Sequence, residues 1–321
     1  MTQGLENEYD VVVIGGGAAG LNGALMLARA RRSVVVVDAG EPRNAPAEGV
    51  HGLIGHDGTP PSELLRRGRE EVVRYGGQVV HGSVAGAAHD GDRFVVTLAD
   101  GTSTRARRLL LTTGLSDELP DVPGVAERWG HEVLHCPYCH GWEVRDQAIT
   151  VLGSGPMSVH QALLFSQWSD DITYVTHTVP PDDEQREQLA ARDVRIVVGR
   201  AVALEDAADR LALRLADETT VALQALVVAP RMVARAGFLA GLGLEVVDHP
   251  AGVGQHVEVD PMGRTAVPGV WAAGNVTDLS AQVGGSAAAG AFAGAQINAD
   301  LVMEETRAAV ERRRVSAGVV R

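Results

Sequence analysis

Both cysteines of this 321-residue chain lie close together, in the string His-Cys-Pro-Tyr-Cys-His at positions 135–140. Two thiols with two residues between them can close into a disulfide and reopen, and an adjacent histidine can carry the proton that each step requires. Glycine-rich segments of the dinucleotide-binding type stand on both sides of the pair. The pattern predicts a redox-active disulfide, with Cys136, Cys139 and His140 as the catalytic residues.

The cysteine spacing is also compatible with bound groups. A Cys-x-x-Cys-His string attaches c-type haem, but such proteins require export, and residues 1–10 are acidic and lack an apolar signal segment. A zinc site needs about four nitrogen, sulfur or oxygen ligands, and the sequence offers no second cluster. An incidental pair of core cysteines is the remaining alternative. We therefore expect no metal ligands here.

A βαβ unit is predicted at the start of the chain. An apolar strand at 11–14 runs into Gly-Gly-Gly-Ala-Ala-Gly at 15–20, and a second strand at 34–37 ends at Asp38. The three fingerprint glycines permit the tight turn, the approach of a pyrophosphate and close helix packing, while the acid can hold a ribose hydroxyl. The helix N-terminus favours the anion. The residues predicted to bind a dinucleotide here are Gly15, Gly17, Ala18, Ala19, Gly20, Asp38 and Ala39.

A second βαβ pattern follows a hairpin (94–98 with 108–111) and a Pro/Gly-rich hinge at 119–124. It consists of a strand at 149–152, the turn Gly-Ser-Gly-Pro-Met-Ser at 153–158, a helix to about residue 168 and a strand at 172–176. An acidic helix at 182–192 and a strand at 194–198 complete it. The chain thus carries two nucleotide-type folds, the second inserted in the first.

The composition sets limits on partners and location. The formal net charge of −13 disfavours nucleic acid and anionic membrane surfaces, and no stretch reaches the roughly 18 apolar residues of a membrane span. With 38 glycines and 45% hydrophobic residues, the chain suits an α/β fold of two domains. The Gly/Ala/Ser-rich run at 281–295 predicts a closely packed buried helix. We expect a cytoplasmic protein.

These residues together resemble the low-molecular-weight thioredoxin reductase family over nearly the whole chain. The resemblance implies an α/β fold of two Rossmann-like, three-layer ββα domains: an FAD domain at 1–117 and 249–321, and an NAD(P)-type domain at 118–248 that carries the cysteines. It also implies FAD as cofactor and a homodimer. The further cofactor-binding positions that it suggests are Arg43, Asn44, His51, Asp57, Thr113, Gly114, Gly274, Asn275, Gln282 and Val283.

The chain departs from the reductase pattern at several positions. His140 replaces an aspartate that donates and accepts protons, and Asn275 replaces the usual aspartate near the flavin. Ser158 ends the second fingerprint where Gly or Ala is usual, which predicts looser helix packing. Carboxylates at 182–183 stand where reductases have a basic cluster for the 2′-phosphate of NADPH, and they would repel that phosphate. NAD(P)H binding is therefore doubtful.

The Cys-Pro-aromatic-Cys-His-Gly-aromatic-Glu string is similar to the dithiol oxidase branch of this superfamily, which acts in gliotoxin and holomycin biosynthesis. That resemblance implies that Cys139 faces the flavin and Cys136 exchanges with substrate. We expect oxidation of a small-molecule dithiol to an intramolecular disulfide, with O2 as acceptor. The alternatives are an NAD(P)H-dependent reductase of a thioredoxin-like protein and, in another class, a non-catalytic flavin redox sensor.

Three residues beside the cysteines have open roles. His135 either tunes Cys136 or packs at a strand end, and Tyr138 and Trp142 either wall a substrate pocket or belong to the core. The charged run at 304–314 predicts the solvated face of a helix.

Overall fold

The computed structural model describes residues 4–316 and holds nineteen strands and six α-helices in that range. In chain order the strands are β1 (Glu8–Ile14), β2 (Val34–Asp38), β3 (Gln78–His81), β4 (Val84–Asp90), β5 (Arg93–Leu98), β6 (Ser103–Leu111), β7 (Leu115–Glu118), β8 (Val133–Leu134), β9 (Ile149–Leu152), β10 (Ile172–Val175), β11 (Arg195–Val197), β12 (Ala201–Ala207), β13 (Arg210–Leu215), β14 (Thr220–Leu223), β15 (Ala225–Val227), β16 (Arg231–Ala234), β17 (Val247–Asp248), β18 (Gln255–His256) and β19 (Val270–Ala272). The helices are α1 (Ala18–Arg29), α2 (Pro61–Arg74), α3 (Pro137–His140), α4 (Ser158–Phe165), α5 (Asp183–Ala190) and α6 (Val283–Ser316).

The first sheet has the order β3-β2-β1-β6-β5-β4, and β19 pairs with the second half of β6. Strands β3, β2, β1, β6 and β19 run parallel, whereas β4, β5 and β6 form an antiparallel meander. The continuous apolar run of β1 is buried on both faces, as expected of a central parallel strand. The predicted βαβ unit and the predicted hairpin are therefore confirmed.

Helices α1 and α6 cross on one face of this sheet at the closest distance that a backbone allows. A side-chain carbon on Gly290 would lie 1.9 Å from the Ala19 carbonyl oxygen, and one on Gly294 would lie 2.6 Å from that of Gly23. The predicted small-residue helix thus packs closely against the first unit on one face, whereas Ala288, Ala289 and Phe292 on its other side are exposed, so the prediction of a buried helix is confirmed only in part. After Leu301 the helix is almost entirely exposed, as predicted for 304–314.

The inserted unit is built on a parallel sheet of order β11-β10-β9-β15-β8. Helices α4 and α5 cover one face around Phe165 and Tyr174, and the antiparallel sheet β12-β13-β14 covers the other. The predicted helix after the second fingerprint ends at Phe165 and not at residue 168. The predicted α/β class, with two Rossmann-like units, is confirmed.

The two units are joined by a pair of strands that the sequence did not predict. β7 leaves the first unit, β16 returns to it, and the two pair antiparallel from Leu115 opposite Ala234 to Glu118 opposite Arg231. The hinge at 119–124 begins directly after this pair. Behind it, Leu239, Leu242 and Leu244 pack into the core of the first sheet. The limits of the inserted domain, residues 118 and 248, stay a prediction. The packing of these leucines favours a C-terminal limit near residue 231, where β16 begins.

Within residues 4–316, no helix combines the length and the apolar run that crossing a membrane requires.

Candidate active site

One cavity of about 880 Å³ lies between the carboxyl ends of the first sheet and the inserted unit. Its volume is near the top of the roughly 300–1,000 Å³ range of cofactor and ligand sites. Cys136, Cys139 and His140 all line it. The predicted cofactor-binding residues in its wall are Gly15, Gly17, Ala18, Ala19, Asp38, Ala39, Arg43, Asn44, His51, Thr113, Gly114, Gly274, Asn275, Gln282 and Val283. Gly20 and Asp57, both described, stand outside the wall.

The first glycine turn has the geometry that its sequence predicts. Gly15 has φ of +107°, and a side-chain carbon there would lie 2.3 Å from the Thr112 carbonyl oxygen. Gly20 lies against Gly15 with no room for a side chain, so its role is to pack α1 onto β1. Gly17 precedes the first residue of α1, and a side-chain carbon on it would meet no described atom within 4 Å. The helix N-terminus is therefore open to an anion.

Asp38 is held at the end of β2. Its Oδ1 accepts a hydrogen bond of 3.0 Å from Gly40 N, and its Oδ2 lies 3.3 Å from Arg69 Nη1. The carboxyl packs directly on Gly16, where any side-chain carbon would overlap it. An acceptor fixed in the cavity wall at this position suits a ribose hydroxyl.

Thr113 provides the clearest test of whether this cavity fits a dinucleotide cofactor. Its Oγ1 is buried and has no hydrogen-bond partner among the described residues, and Thr113 lies in the wall. Buried hydroxyls are nearly always satisfied. A buried hydroxyl without a partner on a residue of the cavity wall, an open helix N-terminus and a fixed carboxylate together fit FAD.

Asn275 explains one departure from the reductase pattern. Its Nδ2 donates to the carbonyl oxygens of Asp278 (3.0 Å) and Ala281 (2.8 Å). An aspartate, which only accepts when ionised, could make neither bond. The amide therefore holds the loop that leads into α6 and sets Gln282 and Val283 in the cavity wall.

The disulfide joins Cys136 and Cys139 across a single short helical turn, α3. Pro137 occupies the first helical position, where its missing N–H costs nothing. Gly141 ends the turn because a side-chain carbon there would lie 2.7 Å from the ring of Trp168. The redox turn thus rests on an aromatic ring, and both cysteines face the cavity.

His140 is neutral and available as a base at pH 7. Burial lowers the pKa of His140 below its ordinary value of 6.5, the carboxylate of Glu143 opposes this, and His51 reinforces it. Since an imidazole with a lowered pKa is unprotonated at neutral pH, it can accept a proton from a thiol.

His135 is a packed residue with the cavity on one side. Its Nδ1 lies 3.1 Å from Gln161 Nε2 and 3.3 Å from the Val228 carbonyl oxygen. Burial lowers the pKa of His135, and the nearby guanidinium of Arg43 lowers it further. The packing alternative therefore accounts for its contacts.

Tyr138 and Trp142 match neither alternative of the sequence interpretation. They are 61% and 64% exposed, and neither is in the cavity wall or in the core. Tyr138 meets Trp168 edge-on, and the Arg145 guanidinium lies 4.2 Å above the Trp142 ring. Both aromatic rings stand on the outer side of the redox turn.

Arg43 reaches the junction of the two units. Its guanidinium makes two hydrogen bonds to the Asp117 carboxylate, at 2.7 and 2.8 Å, and the Asp117 side chain is only 5% exposed. Nearby, Pro46 packs so closely on Gly130 that a side-chain carbon on the glycine would lie 2.5 Å away. These contacts fix the side of the inserted unit that faces the cavity.

The second glycine turn is occupied by a side chain of the protein itself. Ser158, fully buried at the start of α4, accepts hydrogen bonds through its Oγ from Ser154 N (3.2 Å) and Gly155 N (3.1 Å). These are N–H groups of the kind that bind a pyrophosphate in a dinucleotide fold. The predicted looser packing at Ser158 is therefore wrong, because the hydroxyl finds two partners in the turn.

The segment after β10 folds back over the same turn. Thr178 N and Val179 N both donate to the Gly153 carbonyl oxygen, at 3.0 and 2.9 Å. The Asp182 side chain caps the N-terminus of α5, where it accepts a hydrogen bond from Gln185 N. The turn and the segment after β10 are thus held together by hydrogen bonds within the chain.

Several residues of the site carried no sequence signal. Trp129 and Phe238 line the cavity from segments distant in sequence, Asp117 anchors Arg43, and Glu143 lies 3.5 Å from His51. Only Glu143 belonged to a recognised motif. Within residues 4–316, no three His, Cys, Asp or Glu side chains converge as a metal site would require.

Known proteins match this fold and this site. Residues 9–310 match the family described as pyridine nucleotide-disulphide oxidoreductase, whose members are flavoproteins. Thioredoxin reductase tcpT of Claviceps purpurea is 32% identical over 92% of this chain and 96% of its own length. Thioredoxin reductase sirT of Leptosphaeria maculans is 32% identical over 90% of this chain and 93% of its own length.

Solved structures agree. The crystal structure of HlmI superposes with a TM-score of 0.90 at 45% identity and covers all of both chains. The structure of a putative thioredoxin reductase TrxB from Bacillus anthracis superposes with a TM-score of 0.85 at 27% identity and covers 92% of this chain and 99% of its own. The chain therefore belongs to the pyridine nucleotide-disulphide oxidoreductase family and is an oxidoreductase that acts on sulfur groups.

Proposed function

We propose that the chain is an FAD-dependent dithiol oxidase, which closes an intramolecular disulfide in a small-molecule dithiol and passes the electrons to O2. The observation that carries this proposal is an asymmetry between the two glycine turns. The first is open and shares its cavity with the Cys136–Cys139 disulfide and His140. The second is filled by Ser158.

The first turn and its surroundings would hold FAD. The open N-terminus of α1 suits the pyrophosphate, Asp38 the ribose, and the unpartnered Thr113 hydroxyl a polar group of the cofactor. The start of α6 would face the flavin ring. When bound, FAD supplies a two-electron acceptor beside the cysteine pair.

The chain's own residues then perform thiol–disulfide exchange. A substrate thiolate attacks Sγ of Cys136, the Cys136–Cys139 bond breaks, and Cys139 leaves as a thiolate. The second substrate thiolate displaces Cys136, so the substrate disulfide forms and two electrons reach the cysteine pair. His140, neutral at pH 7 because burial lowers its pKa, takes a proton from an incoming thiol.

The second turn supports a thiol rather than a nucleotide as electron donor. Displacing Ser158 Oγ from two buried N–H groups would leave the hydroxyl itself without partners, which costs about 1–3 kcal/mol. Asp182 and Asp183 would add repulsion of a 2′-phosphate. A dithiol needs neither contact, because it meets the disulfide directly at the cavity.

An anaerobic titration tests this function. Dithiothreitol should bleach the flavin absorbance of the yellow protein within the time of a turnover, and air should restore it. NADH and NADPH should leave the absorbance unchanged over the same time. Bleaching by either nucleotide at the rate of turnover would refute the oxidase.

The second candidate is an NAD(P)H-dependent thioredoxin reductase, favoured by the names of the relatives tcpT and sirT. It predicts nucleotide bleaching and electron transfer to a thioredoxin disulfide. A third outcome, negligible turnover with any dithiol, would indicate a non-catalytic flavin redox sensor. The homodimer stays a prediction.

A further inference from the structure

Three side chains form a row beside the redox turn and cross the junction between the two units. His51 Nδ1 lies 3.1 Å from Asp57 Oδ1, and His51 Nε2 lies 3.5 Å from Glu143 Oε1. His51 and Asp57 belong to the loop before α2, whereas Glu143 follows α3. Both ring nitrogens therefore face a carboxylate oxygen, so the ring can receive a proton on one side and release one on the other.

The row begins at the thiol site and ends in solvent. His51 lines the same cavity as His140, Cys136 and Cys139. His51, at 25% exposed, is the least exposed side chain of the row, and the two carboxylates beside it are more exposed, at 44% for Glu143 and 76% for Asp57. Asp57, outside the cavity wall, is placed to exchange protons with water.

Glu143 is the member of the row that stands nearest to His140 in the chain. It stands three residues after His140 in the same turn, and its N–H donates to the His140 carbonyl oxygen at 3.2 Å. The charges of Glu143 and His51 both reach the His140 ring, the first raising its pKa and the second lowering it. The charged groups that the structure places around His51 are thus Asp57 on its own loop and Glu143 and His140 on the redox turn.

Dithiol oxidation demands more than one proton carrier. Each substrate gives up two thiol protons when its S–S bond forms and the Cys136–Cys139 bond breaks. Cys139 must remain a thiolate to hand on its electron pair, so one proton can reside on Cys136 and the other on His140. The Cys136 proton leaves when the Cys136–Cys139 disulfide re-forms, and O2 takes up two protons from water as it becomes hydrogen peroxide. His140 then has to lose its proton before it can serve the next substrate.

We infer that His51 is a second proton-carrying residue of the thiol site, which receives the proton of His140 by way of Glu143 and releases it to water through Asp57. The inference rests on the proposed dithiol oxidation. The sequence-based prediction that His51 and Asp57 bind FAD stays a prediction beside it.

Chemical rescue provides the first test, with dithiothreitol as substrate in air and weakly buffered solution. His51→Gln keeps a polar side chain of similar reach but cannot titrate. Turnover should fall about 10²-fold, at the low end of general acid–base effects, and added imidazole should restore most of it. His89→Gln, an exposed histidine stacked on Phe94, is the matched control and should change nothing.

Several outcomes separate the claims. If the wild-type protein turns over dithiothreitol and His51→Gln is equally fast, His51 does not carry protons for the thiol site, whereas the proposed oxidase activity stands. A loss that imidazole does not restore would show a merely structural contact and also overturn the role. Absence of wild-type turnover with dithiothreitol would sink the proposed function itself.

Alkylation of the reduced cysteines by iodoacetamide gives a readout that needs no turnover. The pH midpoint of the rate reports the coupled Cys–His140 pair. His51→Gln should move this midpoint upward, because His51 lowers the pKa of His140, and Glu143→Gln should move it downward, because Glu143 raises that pKa. Equal shifts in one direction, or none, would contradict the coupling of His51 to the thiol site.

Discussion

A single amide nitrogen at position 275 organises the part of the cavity where α6 begins. Asn275 donates to two carbonyl oxygens from a loop only a few residues away, so an acceptor-only side chain would not hold that loop. Asn275 departs from the aspartate of the reductase pattern, and the conformation of this loop requires a donor at that position.

We predict that Asn275→Asp destabilises the protein. The carboxylate would face two carbonyl oxygens, two hydrogen bonds would be lost, and the free energy of unfolding should fall by about 1–3 kcal/mol. Urea unfolding of the flavin-loaded protein measures this, together with the fraction of flavin retained. Asn298→Asp is the control, because Asn298 Oδ1 accepts from Arg32 Nε and a carboxylate would accept equally well. Equal stability of both variants would contradict the role of Asn275.

At the level of single residues, the sequence predicted many of the residues that line the cavity, but it did not predict which side chains contact each other there. The glycine turn and the Cys-x-x-Cys-His string are local motifs whose residues have known structural and chemical roles, so these residues could be predicted from the sequence. The partners of Arg43 and His51 come from segments about 70 and 90 residues away. No local pattern predicts such a pairing, because it depends on how the two units meet.

Among the elements, α1 and α6 cross in close contact in the first unit. Gly23, Gly290 and Gly294 leave no side chains at the crossing, so that backbone approaches backbone. The contact buries the apolar side of α6 around Ile297 and Leu301 on the sheet that carries the first fingerprint. Since α6 also starts at the cavity, its position on α1 sets where Gln282 and Val283 lie.

We predict that Gly290→Ala destabilises the protein by about 1–3 kcal/mol, the usual cost of overpacking. The new carbon would lie 1.9 Å from the Ala19 carbonyl oxygen, so α6 would have to move away from α1. The matched control is Gly285→Ala in the same helix, where the nearest atom is at 3.9 Å and helix propensity improves. Thermal unfolding of both variants is the measurement; a Gly290→Ala protein as stable as the control would refute tight packing at the crossing.

Long periodic elements were predicted from sequence, and short connecting ones were not. The apolar strands at 11–14 and 149–152 are strong signals because both faces are buried. The pairing of β7 with β16 joins segments more than 110 residues apart, and each is only four residues long. Strand pairs of this kind are created by the tertiary fold, since neither segment has the pattern of an independent strand.

On the scale of the whole molecule, the orientation of the two units decides whether the disulfide meets the cavity. Arg43 and Asp117 form an ion pair with two hydrogen bonds, and the carboxylate is almost completely buried. Pro46 on Gly130 and His51 beside Glu143 add contacts along the same boundary. Arg43 and Asp117 therefore fix the loop after β2 on the connecting strand β7, and the Pro46–Gly130 and His51–Glu143 contacts hold the inserted unit against the same loop.

We predict that Asp117→Asn lowers the free energy of unfolding by about 3 kcal/mol, because it leaves the Arg43 guanidinium without its charge partner in a buried setting. The neighbouring Glu118→Gln is the control: its exposed pair with Arg231 at 3.3 Å should contribute about 0–1 kcal/mol. Urea unfolding gives the stability, and limited proteolysis near residues 119–124 reports whether the units separate. Equal effects of the two substitutions would mean that the buried pair does not hold the junction.

The hydroxyl of Ser158 has a consequence for redesigning the second glycine turn. Removing the hydroxyl alone would leave Ser154 N and Gly155 N without that acceptor, while Asp182 and Asp183 would still repel a 2′-phosphate. Removing the two carboxylates alone would leave the turn filled by the Ser158 hydroxyl. A variant designed to bind NADPH at this turn would therefore need both changes together.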